Sequence, residues 1–323
     1  MICARHFVRR CVNCWFDKSF PLPPLQKKVI YLDQFVISNM TKELDPDRSD
    51  AKKHQLDDFY RNLFEKLDRL SKLQLIVCPY STVHHFESVV VSQYEKLRKV
   101  FRHLSHGVSF QDPETIQHAE ILSAFHAWRK NNPFISDIGK DFALTRNPDE
   151  WQKRFRVELN YDVPGLAAEL KATSGNMTAG LHDVCQQWKN DPSFSFEQTF
   201  AKEMEAQGNS MIAECMHYAA RLAAVQMGVM SVAEVCFPSS AVSTVSGMMR
   251  DLAADHPGVE KQLATIQTFF ASDQFQMVSS CRIASLFWAT IARDVHAGRQ
   301  PDKFPKAGMF NDIAAVAAYS PFL

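Results

Sequence analysis

The sequence predicts an α/β fold: a small parallel sheet flanked by helices and interrupted by a large, mostly α-helical insertion. Two short apolar runs, residues 29–32 (VIYL) and 73–78 (LQLIVC), have the length of buried strands. Residues 29–32 do not alternate with polar ones, which favours a strand covered on both faces. Between the two runs, residues 56–73 carry apolar side chains three and four apart, as an amphipathic helix does. A crossover helix between two strands predicts that they pair in parallel.

The remaining segments place this sheet within four predicted parts. Pro79 ends the second strand, and Ser81 is a suitable N-cap for a helix from 82 to about 104. Residues 107–280 contain helical patterns separated by X–Pro boundaries and little strand character. We therefore predict an N-terminal arm at 1–26, a first core segment at 27–106, a helical insertion at 107–280 and a second core segment at 281–323.

Composition and charge restrict the classes of function. Hydrophobic residues make up 46% of the 323 residues, and 36 basic residues balance 36 acidic ones, so nucleic acid would have to bind a local basic patch. No apolar run reaches the ~18 residues of a membrane span, and the N-terminus does not resemble a secretory signal. The eight cysteines lie mostly in apolar runs, which indicates reduced thiols and a cytoplasmic protein. Neither a phosphate-binding Gly-rich loop nor a nucleophile elbow is present.

One group near the N-terminus has the residue types of a zinc site: Cys3, His6, Cys11 and Cys14. Cys3 and His6 are three residues apart, as are Cys11 and Cys14, but only four residues separate the two pairs. That spacing is short for two ligand pairs to surround one tetrahedral ion. We therefore favour an N-terminal arm without metal over a zinc site.

Three acidic residues lie in apolar stretches of the sequence, where a carboxylate is costly unless it has a cation or a hydrogen-bond donor as its partner. Asp33 follows the first predicted strand, Glu87 lies in the helix after the second, and Asp312 begins the last predicted helix. Carboxylate oxygens at strand ends and helix starts are ligands that Mg²⁺ or Mn²⁺ takes. Each acid also has a structural alternative, since Asp33 and Asp312 could cap helices and Glu87 could pair with a buried arginine.

The order of these acids resembles the PIN-like nuclease domain family. Residues 29–38 (VIYLDQFVIS) resemble its first strand and first acid, and residues 76–81 (IVCPYS) with 84–87 (HHFE) resemble its second strand, turn and helix-borne glutamate. Residues 311–319 (NDIAAVAAY) resemble the helix that carries its third acid. The resemblance covers about a third of the chain, and each motif by itself is short and degenerate.

The resemblance implies a metal-dependent endonuclease that hydrolyses phosphodiester bonds, most often of RNA, with DNA as the other substrate. Asp33, Glu87 and Asp312 would then hold Mg²⁺ or Mn²⁺ and act as the catalytic set. The family continues beyond its third acid into a further strand, often with a fourth aspartate, whereas this sequence stops at Leu323. Either the chain is a truncated form, or another acid substitutes for the fourth aspartate, or the protein is a degenerate, inactive relative. The alternative function is accordingly a non-catalytic scaffold on a degenerate PIN-like core whose helical insertion binds a protein partner.

Basic residues and histidines supply the remaining candidates. The predicted phosphate contacts, which precede Asp312, are Arg293, Arg299, Lys303 and Lys306. A second group on the predicted helix before 104 contains Lys96, Arg98, Lys99, Arg102 and His103. Its Arg98 and His103 also fit an Arg-x4-His pattern like that of the metal-independent helical ribonucleases of the HEPN class, which would predict cleavage that resists EDTA. His84 could lie near the metal or hydrogen-bond a water, but we favour a histidine that is packed or faces solvent.

Overall fold

The computed structural model describes residues 2–3, 6–45, 58–89, 94–136, 138–151, 166–232, 235, 238–299 and 308–323. Of these residues, 67% are helical and 7% lie in strands. The predicted α/β fold class, a PIN-like parallel sheet with flanking helices, is therefore wrong. The protein is mostly helical, with two small sheets in the described ranges.

The strands of the described residues are short. They are β1 (Ile2–Cys3), β2 (His6–Arg10), β3 (Asp17–Pro21), β4 (Lys28–Val29) and β5 (Ile76–Val77). β1, β2 and β3 form an antiparallel sheet in that order, in the segment that we predicted to be an arm. Its side chains are mostly exposed, so the alternation that would reveal a half-buried strand is missing from the sequence.

β4 and β5 pair in parallel, as predicted, with Lys28 opposite Ile76 and Val29 opposite Val77. The Ile30 amide donates to the Val77 carbonyl at 3.0 Å. The next bond of a parallel ladder would need an amide at Pro79, which has no N–H group. Pairing therefore ends after two residues, and this is a physical reason why the predicted sheet does not extend.

The helices of the described residues are numbered in chain order. They are α1 (Gln34–Leu44), α2 (Phe59–Lys72), α3 (Thr82–Val89), α4 (Tyr94–Ser105), α5 (Pro113–Arg129), α6 (Lys140–Ala143), α7 (Leu166–Asn190), α8 (Phe196–Gln226), α9 (Ser240–Leu252), α10 (Val259–Phe270), α11 (Asp273–Gln276), α12 (Ser279–His296) and α13 (Gly308–Tyr319). A 3₁₀ turn, Ser320–Phe322, follows α13.

The chain divides into two compact units. The first comprises Met1–Gln111, Gly139–Ser174 and Phe322–Leu323, and the second comprises Asp112–Ile138 and Gly175–Pro321. The four predicted parts, 1–26, 27–106, 107–280 and 281–323, stay predictions of domain organisation. Most of the segment 281–323 is counted in the second unit.

The first unit has a core around β5. Apolar side chains of α1, α2 and α4 pack against this strand, and the fully buried ones include Ile37, Met40, Leu97 and Leu104. Amphipathic helices that cover a short central strand bury its backbone and side chains together. This packing holds β4 and β5 in place. Asp33 lies in the chain after β4, and Glu87 lies in the helix after β5.

The second unit has its own aromatic core. Phe125 of α5 packs edge-on against Phe269 of α10, with ring centroids 5.3 Å apart, and Phe275 packs against both Phe269 and Phe270. A buried carboxylate also joins α5 to α12, because Oε2 of Glu120 accepts from the Ser280 amide at 2.9 Å. Glu120 thereby satisfies one of the amide groups that the start of α12 leaves without an intrahelical partner.

Candidate active site

Asp33 lies where the chain leaves β4 and enters α1. It is the N-cap residue, with an extended backbone, and its carbonyl accepts from the Val36 and Ile37 amides at 3.0 and 3.2 Å. Its side chain makes no capping hydrogen bond and is exposed. The capping alternative therefore explains the position of Asp33 but not its carboxylate.

Glu87 lies on α3, the helix that follows β5, and is half-buried. A direct contact relates this helix to the start of α1, since Nε2 of Gln34 donates to Oγ of Ser88 at 3.0 Å. Gln34 follows Asp33 in the chain, and Ser88 follows Glu87. The first two predicted acids therefore flank a hydrogen-bonded pair.

A buried histidine supports the start of α3. Ser81 is the predicted N-cap, and its Oγ accepts from the His84 amide at 3.2 Å. Nδ1 of His84 lies 2.9 Å from the same hydroxyl. The ring stacks on Tyr31 with centroids 5.1 Å apart. Because Tyr31 lies two residues before Asp33, this stack ties the end of the first apolar run to α3.

Burial determines the charge of His84. The side chain is fully buried, and burial lowers its pKa to about 4. A hydrogen bond with the Leu32 backbone acts against this lowering of the pKa but does not cancel it. His84 is thus a neutral, packed residue, as we expected, and not a polar group exposed to a metal.

The third acid, Asp312, belongs to the second unit. It is exposed and lies in the second turn of α13, which begins at Gly308, so it does not cap that helix. No group of three or more His, Cys, Asp or Glu within the described ranges could hold a metal ion. The joint role of Asp33, Glu87 and Asp312 stays a prediction.

The N-terminal cysteine–histidine group is split by β2. Cys3 is opposite His6 at the start of this strand, and Cys11 and Cys14 follow its end. Five strand residues span roughly 16 Å, so the two pairs do not surround one ion. Backbone amides of Cys14 and Asn13 lower the pKa of the exposed Cys11 thiol.

The predicted basic residues lie in both units. Arg293 and Arg299 are exposed at the end of α12 and beyond it, whereas Lys303 and Lys306 fall outside the described residues. On α4, Nε2 of His103 contacts Asp68 at 2.6 Å, while the Arg98 guanidinium lies over the Tyr94 ring. Each side chain thus has a contact within the first unit, and the HEPN-like alternative stays a prediction.

Comparisons with family models, with characterised proteins and with solved structures give no match. Within the described ranges, no helix is long and apolar enough to cross a membrane. The site features that sequence reasoning missed are the contacts of Gln34 with Ser88 and of Tyr31 with His84. Neither contact has a sequence signal, because each joins residues more than fifty positions apart in the chain.

Proposed function

We propose that the chain is a divalent-metal-dependent endonuclease that hydrolyses phosphodiester bonds of RNA, with Asp33 and Glu87 as metal ligands. The observation that carries the proposal is the hydrogen bond from Gln34 to Ser88. Together with the parallel pairing of β4 and β5, it supports a pair of carboxylates at one end of the small sheet. Ligand sites in parallel sheets commonly lie at that end of the strands.

The donor set fits a hard divalent cation. Mg²⁺ is usually held by one or two carboxylates, with water and substrate oxygens as its other ligands. Such an ion supplies a water of lowered pKa and offsets negative charge on the phosphodiester. Asp33 contributes an exposed carboxylate without a capping bond, and Glu87 contributes one from the neighbouring helix.

Asp33→Asn tests the metal site. Asparagine keeps the size of the side chain and removes its charge, and because the Asp33 carboxylate makes no capping bond, the fold should be retained. We expect the wild-type protein to cleave RNA with Mn²⁺ or Mg²⁺ and to lose activity in EDTA. The variant should lose cleavage with an unchanged thermal unfolding midpoint.

Asp141→Asn is the matched control, since Asp141 is an exposed residue of α6 in the same unit. It should cleave as the wild type does. Asp312→Asn, measured in the same assay, tests the predicted third ligand. Full activity of Asp33→Asn would disprove the assignment of Asp33, and full activity in EDTA would disprove the metal-dependent mechanism.

A non-catalytic binding protein is the second candidate. It is favoured by the finding that the described residues contain no group of three metal-ligating side chains. This candidate predicts that neither the wild type nor the variants cleave RNA or DNA under any metal condition. A cytoplasmic location is also part of the proposal, supported by the buried, unpaired thiols of Cys78, Cys185, Cys215 and Cys281.

A further inference from the structure

A pocket lined by two arginines lies in the first unit. Its volume is about 180 Å³. The side chains that matter here are Tyr80, Arg98, Phe101, Arg102, Ser105 and Ser109. They come from the end of the β5 segment, from α4 and from the turn that follows it.

Local structure explains why these residues meet. Arg98 and Arg102 are four residues apart on α4 and therefore share one helix face. After the helix, His106 and Gly107 have positive φ angles of 49° and 73°, which reverse the chain. The Tyr80 amide then donates to the Val108 carbonyl at 3.2 Å, which holds the turn beside Tyr80.

Two serines also line the pocket. Oγ of Ser105 accepts from the Gly107 amide at 3.2 Å, and Oγ of Ser109 lies 2.8 Å from Oγ1 of Thr145. The Ser105 hydroxyl accepts in its bond and can still donate to a ligand, whereas either hydroxyl can be the donor in the Ser109–Thr145 pair. Phe101 supplies an apolar wall, with its ring centroid 4.9 Å from that of Tyr80.

The pocket is electropositive. It is lined by two guanidinium groups and by no carboxylate. The ion pair that Arg98 makes with Glu95 is weak, because the two groups are 3.8 Å apart and the Glu95 side chain is 63% exposed. Burial raises the pKa of Tyr80, and the positive charges of Arg98 and Arg102 act against that shift. Both guanidinium groups are therefore close enough to interact electrostatically with the phenol.

We propose that this pocket binds a phosphomonoester, with Arg98 and Arg102 donating to its oxygens and the serine hydroxyls completing the hydrogen bonds. Such a group carries a charge of about −1.5 to −2 at neutral pH, which two arginines match, and guanidinium groups fit phosphate geometry. Whole small-molecule ligands usually need pockets of about 300 Å³ or more. This smaller pocket suits the phosphate and leaves the rest of the ligand outside.

The phosphomonoester could belong to the end of a nucleic-acid strand or to a free nucleotide. Binding at this pocket involves none of the acidic residues, so the inference holds whether or not the chain cleaves RNA. Measurements in EDTA keep the two ideas separate, because a metal-dependent nuclease cannot act there. If the protein showed no preference for the phosphate, the interpretation of the Asp33→Asn experiment would not change. Loss of the nuclease proposal would likewise leave the binding measurement valid.

The experiment compares two fluorescent oligoribonucleotides of one sequence, one with a 5′-phosphate and one with a 5′-hydroxyl. In EDTA at physiological salt, we expect the phosphorylated strand to bind roughly tenfold more tightly, which corresponds to about 1.4 kcal/mol. Inorganic phosphate and a nucleoside 5′-monophosphate serve as competitors. Competition by the mononucleotide at low concentration identifies a nucleotide ligand, and competition only by phosphorylated strands identifies a strand end.

Arg98→Gln and Arg102→Gln should each reduce the preference, and the double variant should abolish it. Lys99→Gln is the matched control, because Lys99 is an exposed residue of the same helix that does not line the pocket. All variants are first checked for an unchanged thermal unfolding midpoint. Equal binding of the two strands by the wild type, or an undiminished preference in the double variant, would overturn the proposal.

Discussion

His84 is the residue whose charge is most closely tied to the stability of the first unit. Its ring lies among Tyr31, Tyr80 and Phe101, and its hydrogen-bonding contacts are with Ser81. These neighbours are aromatic or hydroxyl groups, and the Leu32 backbone offsets only part of the cost of burial, so a charged imidazolium would be poorly compensated. Protonation of this ring and folding of the unit therefore oppose each other.

We predict a loss of stability on acidification that depends on His84. The unfolded chain takes up a proton near pH 6.5, whereas burial delays uptake in the folded chain until about pH 4. The stabilising contribution is complete above pH 6.5 and disappears as the pH falls from 6.5 toward 4, by roughly 3 kcal/mol in total. Urea unfolding at several pH values measures this change.

The variant His84→Phe should flatten the pH dependence over that interval, even if its stability at neutral pH is lower. The exposed His126, on α5 of the second unit, provides the control, and His126→Gln should leave the acidic loss of the first unit in place. An unchanged slope in His84→Phe would show that other groups cause the loss.

The candidate residues show how far a sequence determines a site. The position of Asp33 at the start of a helix was predictable, because an aspartate before a helical segment is a common N-cap, but the strand before it ends at Val29 and not at Leu32. The start of α13 was not predictable in this way. Asn311 and Asp312 are residue types that often cap helices, but both lie inside the helix, which begins at Gly308. Phe310 packs on Trp288 at 4.8 Å, and a tertiary contact of that kind extends a helix beyond its local signals.

Gly208 tests the packing of elements in the second unit. It is buried in α8, and a methyl group added to it would lie 2.6 Å from Cγ of Phe270 on α10. The helices can approach this closely only because the side chain is absent. We predict that Gly208→Ala lowers the free energy of unfolding by about 1–3 kcal/mol through overpacking.

Gly180→Ala, in α7, is the matched control, because an added methyl group there meets nothing within 4 Å. Alanine favours helix over glycine, so this variant should be more stable by up to about 1 kcal/mol. Denaturant unfolding of both variants gives the comparison. Stabilisation by Gly208→Ala would show that α8 and α10 do not need this close approach.

At the level of elements, periodicity and capping signals were sufficient for much of the helical structure. Residues 195–198 (SFEQ), for example, have the sequence of a capping box, and Oγ of Ser195 accepts from the Gln198 amide at 3.3 Å. The sheet was overestimated because an apolar run indicates burial and not strand pairing. Ile30 and Leu32 contribute to the core of the first unit, although β4 ends at Val29.

At the scale of the whole molecule, charge is balanced and no general attraction for polyanions exists. The chain has 36 basic and 36 acidic residues, so its net charge is zero. Several of its cations are also paired locally, as Lys96 is with Asp45 at 2.8 Å. Nucleic acid would therefore be held by few contacts, with the pocket of Arg98 and Arg102 as one of them.

This balance predicts a weak dependence of RNA binding on salt. Each phosphate neutralised on a single strand contributes about −0.7 to the slope of log K against log salt, so a few contacts give roughly −3 or shallower. The 5′-phosphate should add about −1, because it brings extra charge to the two arginines. The Arg98→Gln/Arg102→Gln variant should remove that increment and keep the remaining slope.

Binding isotherms over a range of salt concentrations, in EDTA, measure both quantities. Lys99→Gln should keep the increment, since the side chain lies outside the pocket. A slope of about −6 or steeper would require an extended basic surface of the kind that makes many phosphate contacts. A protein with zero net charge could present such a surface only by segregating its charges, so that result would contradict binding through a local pocket.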